Sequence, residues 1–525
     1  VSKKQKESAL IMRKQTKIAA VVSAAALLAL GASITSFAAA KGTWMMVDGE
    51  WYCYDKNGEA YEDKFCSSNG KEYYVGDDGM LVRSSWVDGD DGDKYFVNSS
   101  GAKITNDWRL TTPIDDESAD EEWYYFKSNG KMATSEKITY KGKTYYFDSE
   151  GKMLTGWVTS EGKDSINEAD DYKPGNTFYC DETGARVEGA WVKDVEPGKT
   201  DDDADADEYW YYLKKSTGKP ATGKQTNING QVYVFDDHAR MLYGWVAKTG
   251  TSSNASIYQQ IDLDDDSHVK RAVNSGDTEV YYCGDEDDGH AKKNRWVKTW
   301  LPTDTNEEED DKEWFWFDRY GHLFTADTAS ASNAYAYEFK DGVVKSKHNG
   351  PVVVSKHKVN SKDYWFTNEG VMLSKFYLIG GDMYYFGGSD DGSMKTGVQS
   401  IKDDAGDTYR FCFTKQGAKK GAGITGSQDG KLYYYGMLIQ ANDYKYQIAT
   451  IGNHKLIVDS NGRIQHSKNT KYREDGEDLI VTTNATVFAN NGDFKYEITS
   501  DESTYTVNSR LTGINNDEFV VISND

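Results

Sequence analysis

The sequence predicts an all-β protein, an elongated solenoid of stacked β-hairpins with a repeat of about 20 residues. Three observations lead to this prediction. Short aromatic runs recur along most of the chain, a polar turn containing glycine follows each run, and tryptophans recur at a nearly constant spacing. Aromatic runs separated by glycine turns are typical of successive β-hairpins, and a fixed period indicates a repeat architecture.

The repeat is clearest in residues 122–158. Here the runs Trp-Tyr-Tyr-Phe at 123–126 and Tyr-Tyr-Phe at 145–147 are followed by Gly130 and Gly151. The spans from the first tryptophan of a run to the tryptophan that closes the copy are 35, 34 and 35 residues, at 51–86, 123–157 and 210–245. Extra hairpins between these copies indicate a three-hairpin super-repeat, used about three and a half times.

Each run has a predicted inner and outer face, because successive side chains of a strand point to opposite sides. Places two and four of a run are apolar almost throughout, as at Tyr124 and Phe126, and are predicted to face the core. Places one and three, as at Trp123 and Tyr125, are predicted to line a partly exposed face. Packing therefore accounts for only half of the aromatic side chains.

Residues 1–40 have the pattern of a cleaved secretory signal. A start at Met12 gives a basic segment with Lys14 and Lys17, an apolar stretch of 13 residues at 18–30, and small residues at the cleavage position. The apolar stretch is too short to span a bilayer. We therefore expect a secreted protein that has no transmembrane segment after cleavage and is held non-covalently at the cell surface.

The net charge limits the partners. The chain carries −24, and residues 1–40 carry six basic side chains and one acidic side chain, so residues 41–525 carry about −29 (−24 − 5). This charge repels nucleic acid, and a neutral or cationic ligand is expected instead. Acidic insertions, as at 201–203 and 262–266, are read as solvated loops or as weak calcium sites. No metal site is predicted, because no ligand spacing is regular.

Five cysteines occur in the sequence. Cys180 and Cys283 take the fourth place of a run and are predicted to fill core positions as small apolar side chains. A disulfide between Cys53 and Cys66 is left open. No Cys/His cluster has the spacing of metal ligands.

The repeats are predicted over residues 41–437, with no tryptophan after Trp365. Residues 438–525 have a β pattern and form either degenerate capping repeats or a small separate β domain. The eight histidines are scattered, and neither a nucleophile elbow nor a His-Glu-x-x-His motif occurs. The sequence therefore predicts a non-catalytic protein without a cofactor.

The pattern resembles the cell-wall-binding repeats of Gram-positive surface proteins, the choline-binding and glucan-binding modules, over roughly residues 43–437. The motifs that carry the resemblance are Gly-Trp-Val at 156–158 and 244–246, Trp-Tyr-Tyr-Phe/Leu at 123–126 and 210–213, and Thr-Tyr-Tyr-Phe-Asp at 144–148. The resemblance implies a left-handed β-solenoid that binds ligands on aromatic side chains between consecutive hairpins. It implies cell-wall polymer as the partner, either the choline of teichoic acid or a glycan.

The candidate sites pair a closing tryptophan with the next place-one tryptophan. These pairs are Trp44 with Trp51, Trp108 with Trp123, Trp191 with Trp210, and Trp296 with Trp314, with Tyr125, Tyr212 and Trp316 at place three beside them. A cation gains about 0.5–2 kcal/mol per aromatic ring, which gives millimolar sites that gain avidity on a polymer. The alternatives are tryptophans that only seal hairpin to hairpin, an adhesin for exogenous polysaccharide, and a purely structural surface-layer component.

Overall fold

The structure is a computed structural model that describes residues 39–159, 161, 164–166, 172–199, 207–252, 255–261, 279–302, 311–441, 445–451 and 454–465, and four strands between 471 and 499. Residues 1–38 of the predicted signal and the acidic stretches 201–203 and 262–266 lie outside the described residues. The chain forms two compact units. The first comprises the described residues up to Glu208 with Leu213–Pro220, and the second comprises Tyr209–Tyr212 with the described residues from Ala221 onward.

The first unit consists of short antiparallel hairpins, which confirms the predicted all-β hairpin repeat. Its strands are β1 (Ala40–Lys41), β2 (Thr43–Val47), β3 (Glu50–Tyr54), β4 (Lys64–Ser68), β5 (Lys71–Val75), β6 (Ser85–Asp88), β7 (Lys94–Val97), β8 (Asp107–Thr111), β9 (Glu122–Phe126), β10 (Glu136–Tyr140), β11 (Lys143–Phe147), β12 (Gly156–Thr159), β13 (Thr177–Cys180) and β14 (Ala190–Val195). Consecutive strands pair as β2–β3, β4–β5, β6–β7, β8–β9, β10–β11 and β12–β13, and β1 adds to β4 in parallel. A 3-10 helix at Pro174–Asn176 precedes β13.

The second unit continues with hairpins and adds larger sheets. After β15 (Glu208–Leu213), which crosses the division between the units, its strands are β16 (Gly223–Ile228), β17 (Gln231–Phe235), β18 (Trp245–Ser252), β19 (Ala255–Gln260), β20 (Val280–Tyr282), β21 (Arg295–Thr299), β22 (Glu313–Phe317), β23 (Ser332–Lys340), β24 (Val343–Ser346), β25 (Val352–Val359), β26 (Lys362–Thr367), β27 (Phe376–Ile379), β28 (Asp382–Tyr385), β29 (Gly397–Lys402), β30 (Thr408–Phe413), β31 (Gly426–Gln428), β32 (Lys431–Tyr434), β33 (Met437–Leu438), β34 (Tyr446–Ile451), β35 (His454–Asp459), β36 (Lys471–Glu474), β37 (Glu477–Val481), β38 (Thr486–Asn490) and β39 (Lys495–Thr499). The larger sheets have the orders β26-β25-β23-β27-β28, with β24 paired to β23, then β29-β30-β33-β32-β31, and β36-β37-β38-β39. The predicted domain boundaries at 41, 437 and 438 stay predictions.

The tryptophans that the sequence analysis placed at the close of a copy, such as Trp86 and Trp108, instead stand in the first strand of a hairpin and open it. In β8–β9, Trp108 lies opposite Tyr125, and in β6–β7, Trp86 lies opposite Phe96. The acidic segment between Thr111 and Glu122 therefore lies inside the β8–β9 hairpin, between the opening strand and the aromatic run. Hairpins without an insertion turn on two residues with positive φ, such as Lys141 (φ 48) and Gly142 (φ 80), which is the geometry that suits a two-residue hairpin loop.

The glycine turn that follows a run joins one hairpin to the next. Oδ1 of Asp148 accepts the backbone N–H groups of Glu150 and Lys152, and Gly151 takes a φ of 82°. Asx turns of this kind bend the chain locally. Met153, which follows Lys152, donates its backbone N–H to the carbonyl oxygen of Trp123 at 2.9 Å. Trp123 belongs to the aromatic run of the preceding hairpin. One backbone hydrogen bond thus links neighbouring hairpins, and the same contact recurs along the repeat.

The core confirms the prediction for places two and four and contradicts it for place three. Tyr124, at place two, is 2% exposed, and Phe126, at place four, is fully buried. At place three, however, Tyr125 and Trp316 are only 4% and 6% exposed, so their predicted exposed face was wrong. The physical reason is the stacking: Tyr125 packs against Trp108 of the opening strand on the same face and against Tyr140 of the next hairpin, which covers that face.

The cysteines that were predicted to fill core positions do so: Cys180 is 1% exposed and Cys283 is fully buried. All five cysteines are described, and the structure shows each as an unbridged thiol. Among the described residues, we find no helix that is long and apolar enough to cross a membrane.

Candidate ligand-binding site between stacked hairpins

Among the described residues, a residue with positive φ comes one or two positions before every opening tryptophan except Trp44. In Gly-Trp segments this residue is the glycine itself, as at Gly156 (φ 70). Where the glycine is replaced, the positive φ moves one position earlier, as at Asn106 (φ 51) before Asp107 and Trp108. Asn106 also accepts a hydrogen bond from the Tyr125 hydroxyl at 2.7 Å. The turn therefore keeps the tryptophan in register without glycine.

Trp86 and Trp245 each pack on places two and four of the aromatic run in the next hairpin. Trp86 lies 4.8 Å from Tyr124 and 5.7 Å from Phe126, measured between ring centroids. Trp245 contacts Phe315 at 4.9 Å and Phe317 at 5.8 Å in the same way. These tryptophans do seal hairpin to hairpin. A ligand site also requires an aromatic ring face that remains exposed.

A group of six aromatic rings, some buried and some partly exposed, includes Trp108, and we call it the Trp108 cluster. Its ring centroid lies 5.1 Å from that of Tyr125 in its own hairpin, and 4.8 and 5.6 Å from those of Tyr145 and Phe147 in the next hairpin. Trp123 and Tyr140 complete the cluster at 6.4 and 6.0 Å. The structure thus brings the predicted pair Trp108 and Trp123 together.

The Trp108 cluster has a buried floor and an open rim. Phe147 is fully buried, whereas Trp123 is 42% exposed. Trp108, Tyr140 and Tyr145 are half-buried. Within the part of the chain that the structure describes, no acceptor bonds the Trp123 indole N–H, and its one ring contact is with Trp108. A flat or cationic ligand can therefore reach the ring without displacing a protein group.

The electrostatics of the Trp108 cluster suit a cation. Burial raises the pKa of the Tyr125 hydroxyl, and the nearby Asp107 carboxylate adds to this effect. Lys141 already lies over Tyr140, with Nζ 4.9 Å from the ring centroid. Cations are attracted to the faces of aromatic rings, and among the described residues the Trp123 ring has no lysine or arginine over it, since Lys141 lies over Tyr140 instead.

A second group, the Trp296 cluster, has a comparable arrangement in the second unit. Trp296 lies 5.2 Å from Trp316 and 4.8 and 5.8 Å from Tyr364 and Phe366. The predicted partner Trp314 is half-buried and lies opposite Lys298 in the β21–β22 register, with Trp316 opposite Trp296. The contact of Trp296 inside its own hairpin is therefore with place three rather than place one.

The Trp314 ring already has an internal cation beside it. Nζ of Lys298 lies 5.9 Å from the Trp314 ring centroid. Oδ1 of Asp390 accepts hydrogen bonds from the Trp314 indole N–H and from Lys298, both at 2.9 Å. These two hydrogen bonds lower the pKa of Asp390. At the corresponding position of the Trp108 cluster, opposite Trp123, the residue is the neutral Leu110.

The other predicted site residues are less well assembled. Trp44 packs on Tyr73 of the next hairpin at 5.7 Å, and no ring contact joins it to Trp51 among the described residues. Trp210 donates its indole N–H to Asp287 at 3.3 Å. Trp191 lies in the first unit and Trp210 and Tyr212 in the second, so that predicted pair stays a prediction.

Sequence reasoning missed three rings that complete the Trp108 cluster and two opening tryptophans that lie outside both clusters. Tyr140, Tyr145 and Phe147 were not among the candidates, and neither were the opening tryptophans Trp86 and Trp245. The indole N–H groups of Trp86 and Trp245 donate to the carbonyl oxygens of Thr112 and Trp300, both at 3.0 Å. No local sequence signal marks Tyr140, Tyr145 and Phe147, because they meet Trp108 only when the next hairpin stacks on its own.

Trp86 also forms one wall of a cleft of about 870 Å³ that is lined by carboxylates. These are Asp63, Asp88, Asp90 and Glu117. Asp88 forms an ion pair with Lys94 at 2.5 Å. In the described residues, no group of three or more His, Cys, Asp or Glu side chains has an arrangement that would hold a metal ion.

The stacked hairpins and their inter-hairpin ring clusters define a β-hairpin repeat protein with aromatic candidate sites. Residues 117–155 match the family model of the choline-binding repeat. This segment contains five of the six rings of the Trp108 cluster; Trp108 itself precedes it. The resemblance to choline-binding and glucan-binding repeat proteins is therefore confirmed.

Similarity to individual proteins extends further along the chain. The chain is 32% identical to Glucosyltransferase-S of Streptococcus mutans over 200 residues, which is 38% of this chain and 11% of that protein. It is 24% identical to Glucosyltransferase-I of Streptococcus downei over 433 residues, 79% of this chain and 23% of that protein. The chain thus spans only about a tenth to a quarter of the length of these relatives. A crystal structure of choline-binding protein F of Streptococcus pneumoniae aligns with a TM-score of 0.31 and 18% identity, covering 72% of this chain and 98% of that one.

Proposed function

We propose that this chain is a secreted, non-catalytic cell-surface protein that binds cell-wall polymer on the Trp108 cluster. The observation that carries the proposal is the half-exposed Trp123 ring at the rim of a group of six aromatic side chains. The match to the choline-binding repeat over residues 117–155 supports a binding role for this segment. The similarity to two glucosyltransferases supports a role in recognising cell-wall or glycan polymers.

The choline group of a substituted teichoic acid is the ligand that the rim favours. A quaternary ammonium group carries its charge without hydrogen-bond donors, so ring faces can replace its hydration better than carbonyl groups can. Trp108, Trp123 and Tyr145 offer two or three faces, which give about 0.5–2 kcal/mol each. One site then reaches a millimolar Kd, and several sites on one polymer raise the avidity by about 10²–10⁴-fold.

A neutral glycan is the second candidate, and the Trp296 cluster favours it. The Lys298 ammonium group beside Trp314 repels a second cation, but a sugar ring can stack on the indole. Asp390 and Lys298 could then exchange hydrogen bonds with sugar hydroxyl groups, since both are more than a third exposed. Binding of exogenous polysaccharide as an adhesin would use the same chemistry.

The direct test compares binding of the two ligand classes to the full chain and to Trp123→Ala. We expect free choline and choline-substituted walls to bind the parent, and the Trp123→Ala affinity for choline to fall by about 5–30-fold, the equivalent of 1–2 kcal/mol. Tyr320→Ala is the matched control, because Tyr320 is 54% exposed and lies outside both clusters. Equal choline affinity in all three proteins would overturn the assignment of the site.

Secretion and wall attachment need a separate experiment. Residues 1–38, which carry most of the predicted signal, lie outside the described residues, so cell fractionation of the producing bacterium is the measurement. Release of the protein from the cell surface by excess choline or by a soluble glucan supports the proposal. Retention despite both competitors, with no ligand bound by the purified protein, would instead support a structural surface-layer role.

A further inference from the structure

Two cysteines of neighbouring hairpins lie side by side in the first unit. Cys53 on β3 and Cys66 on β4 are both fully buried and pack in the same cluster. The segment that runs from β1 into β2 holds both strands, since Ala40 pairs with Cys66 and Trp44 pairs with Cys53. Together with Val75 they form one packed group.

The remaining three cysteines provide an internal contrast. Cys180, Cys283 and Cys412 are each buried in a different apolar cluster, and none of these clusters contains a second cysteine. In the part of the chain that the structure describes, which includes every cysteine, Cys53 and Cys66 are therefore the pair placed for bonding to each other.

We propose that Cys53 and Cys66 form an intrachain disulfide when the chain folds in the presence of a disulfide oxidant. The oxidant is a small-molecule disulfide, RSSR, or the active-site disulfide of a thiol oxidoreductase. The thiolate of one cysteine attacks RSSR and forms a mixed disulfide with release of one RS⁻. The second thiolate then attacks the cysteine sulfur of that mixed disulfide and releases the other RS⁻. The two cysteines give up two electrons, and their two protons leave with the two RSH products.

The burial of both thiols sets the order of events. Only the thiolate attacks a disulfide, and burial is the main cause that raises the pKa of Cys53 and Cys66 in the folded chain. Exchange is therefore expected before the first two hairpins close over the sulfurs. Once the bond has formed, the same burial shields it from reductants.

The bond would staple the first described hairpin to the second. The tip of the β2–β3 hairpin leaves Met45, Met46 and Val47 46%, 57% and 41% exposed, so few contacts hold this end of the hairpin. Units of a repeat that have few contacts are the ones that open locally. Cross-linking residues 53 and 66 limits that opening, because the intervening chain is short and the strands can no longer separate.

The test refolds the full chain with and without oxidised glutathione and counts thiols after denaturation. With the oxidant, we expect three thiols instead of the five in the sequence, and a peptide map that joins the segments containing Cys53 and Cys66. Oxidant added to protein that is already folded should react much more slowly. The assay uses purified protein, so its outcome does not depend on the proposed ligand or on secretion.

Two variants make the outcome specific. Cys180→Ala should still lose two thiols on oxidation and retain two, whereas Cys53→Ala should retain all four of its thiols. Five thiols in the refolded parent, at an oxidant concentration that bridges a control dithiol, would overturn the proposal. A bridge between any other two cysteines in the peptide map of the parent would also overturn it, and this measurement does not require the variants to fold.

Discussion

Replacing Trp108 and Trp123 by alanine, one at a time, separates a sealing tryptophan from a binding one. Trp108 has five ring contacts between 4.8 and 6.4 Å. Truncation of a well-packed tryptophan costs about 3–5 kcal/mol, and because Trp108 is only half-buried we take about 3 kcal/mol. Trp123 is 42% exposed with one ring contact, so its loss should destabilise the fold by only about 1 kcal/mol.

Hydrogen exchange in increasing urea is the appropriate assay, because a chain with two compact units need not unfold in one step. Peptides from β8 to β11 report the local free energy of opening, and a choline titration of the same samples reports binding. We expect Trp108→Ala to lose both protection and binding. Trp123→Ala should keep protection within about 1 kcal/mol and lose affinity. Equal destabilisation by the two substitutions would refute the distinction between a sealing and a binding tryptophan.

Three further predictions concern other positions. Lys298→Ala should raise the affinity of the Trp296 cluster for choline by removing the cation beside Trp314; an unchanged choline isotherm would contradict this role. Burial raises the pKa of Glu279, but hydrogen bonds to its carboxylate outweigh burial and lower the pKa to about 2. Because this pKa lies below the value of about 4.5 in the unfolded chain, the ionised Glu279 stabilises the fold at pH values above 4.5. This stabilisation is lost as the pH falls from about 4.5 toward 2. Glu279→Gln should therefore flatten acid unfolding in that window, and a parallel profile would be evidence against it. Gly151→Ala should destabilise the fold more than Gly142→Ala does. Both glycines have φ near +80°, but only a Cβ at Gly151 would lie 2.6 Å from a methionine sulfur. Equal melting temperatures of the two variants would show that the methionine moves aside without cost.

The repeat and its core could be predicted from the sequence because both depend on local pattern. Aromatic side chains at alternating places predicted the burial of Tyr124 and Phe126, and the fourth-place rule predicted that of Cys180. These positions follow from the period of a strand. No knowledge of neighbouring hairpins was needed.

The face of place three could not be predicted in the same way. The period-two argument treats one side of a strand as solvent, but Tyr125 faces its own opening tryptophan and the next hairpin at once. The hairpin boundaries failed for a related reason. Glycines with positive φ occur both at hairpin tips, as at Gly142, and between hairpins, as at Gly151, and the sequence does not distinguish them.

The candidate site was predicted in part. The pairing of Trp108 with Trp123 follows from their closeness in sequence, whereas Tyr145 and Phe147 join only when the next hairpin stacks. The internal cation at Trp314 depends on Asp390, 76 residues away, and no local pattern signals it.

The most direct test of the binding role is co-sedimentation of the full chain with purified cell walls while free choline or a soluble glucan is titrated. We predict that the parent sediments with the walls, that at least one competitor releases it, and that Trp123→Ala sediments weakly while Tyr320→Ala sediments like the parent. Sedimentation of the parent and of Trp123→Ala to the same extent, unaffected by either competitor, would contradict binding through the exposed rings of the Trp108 cluster.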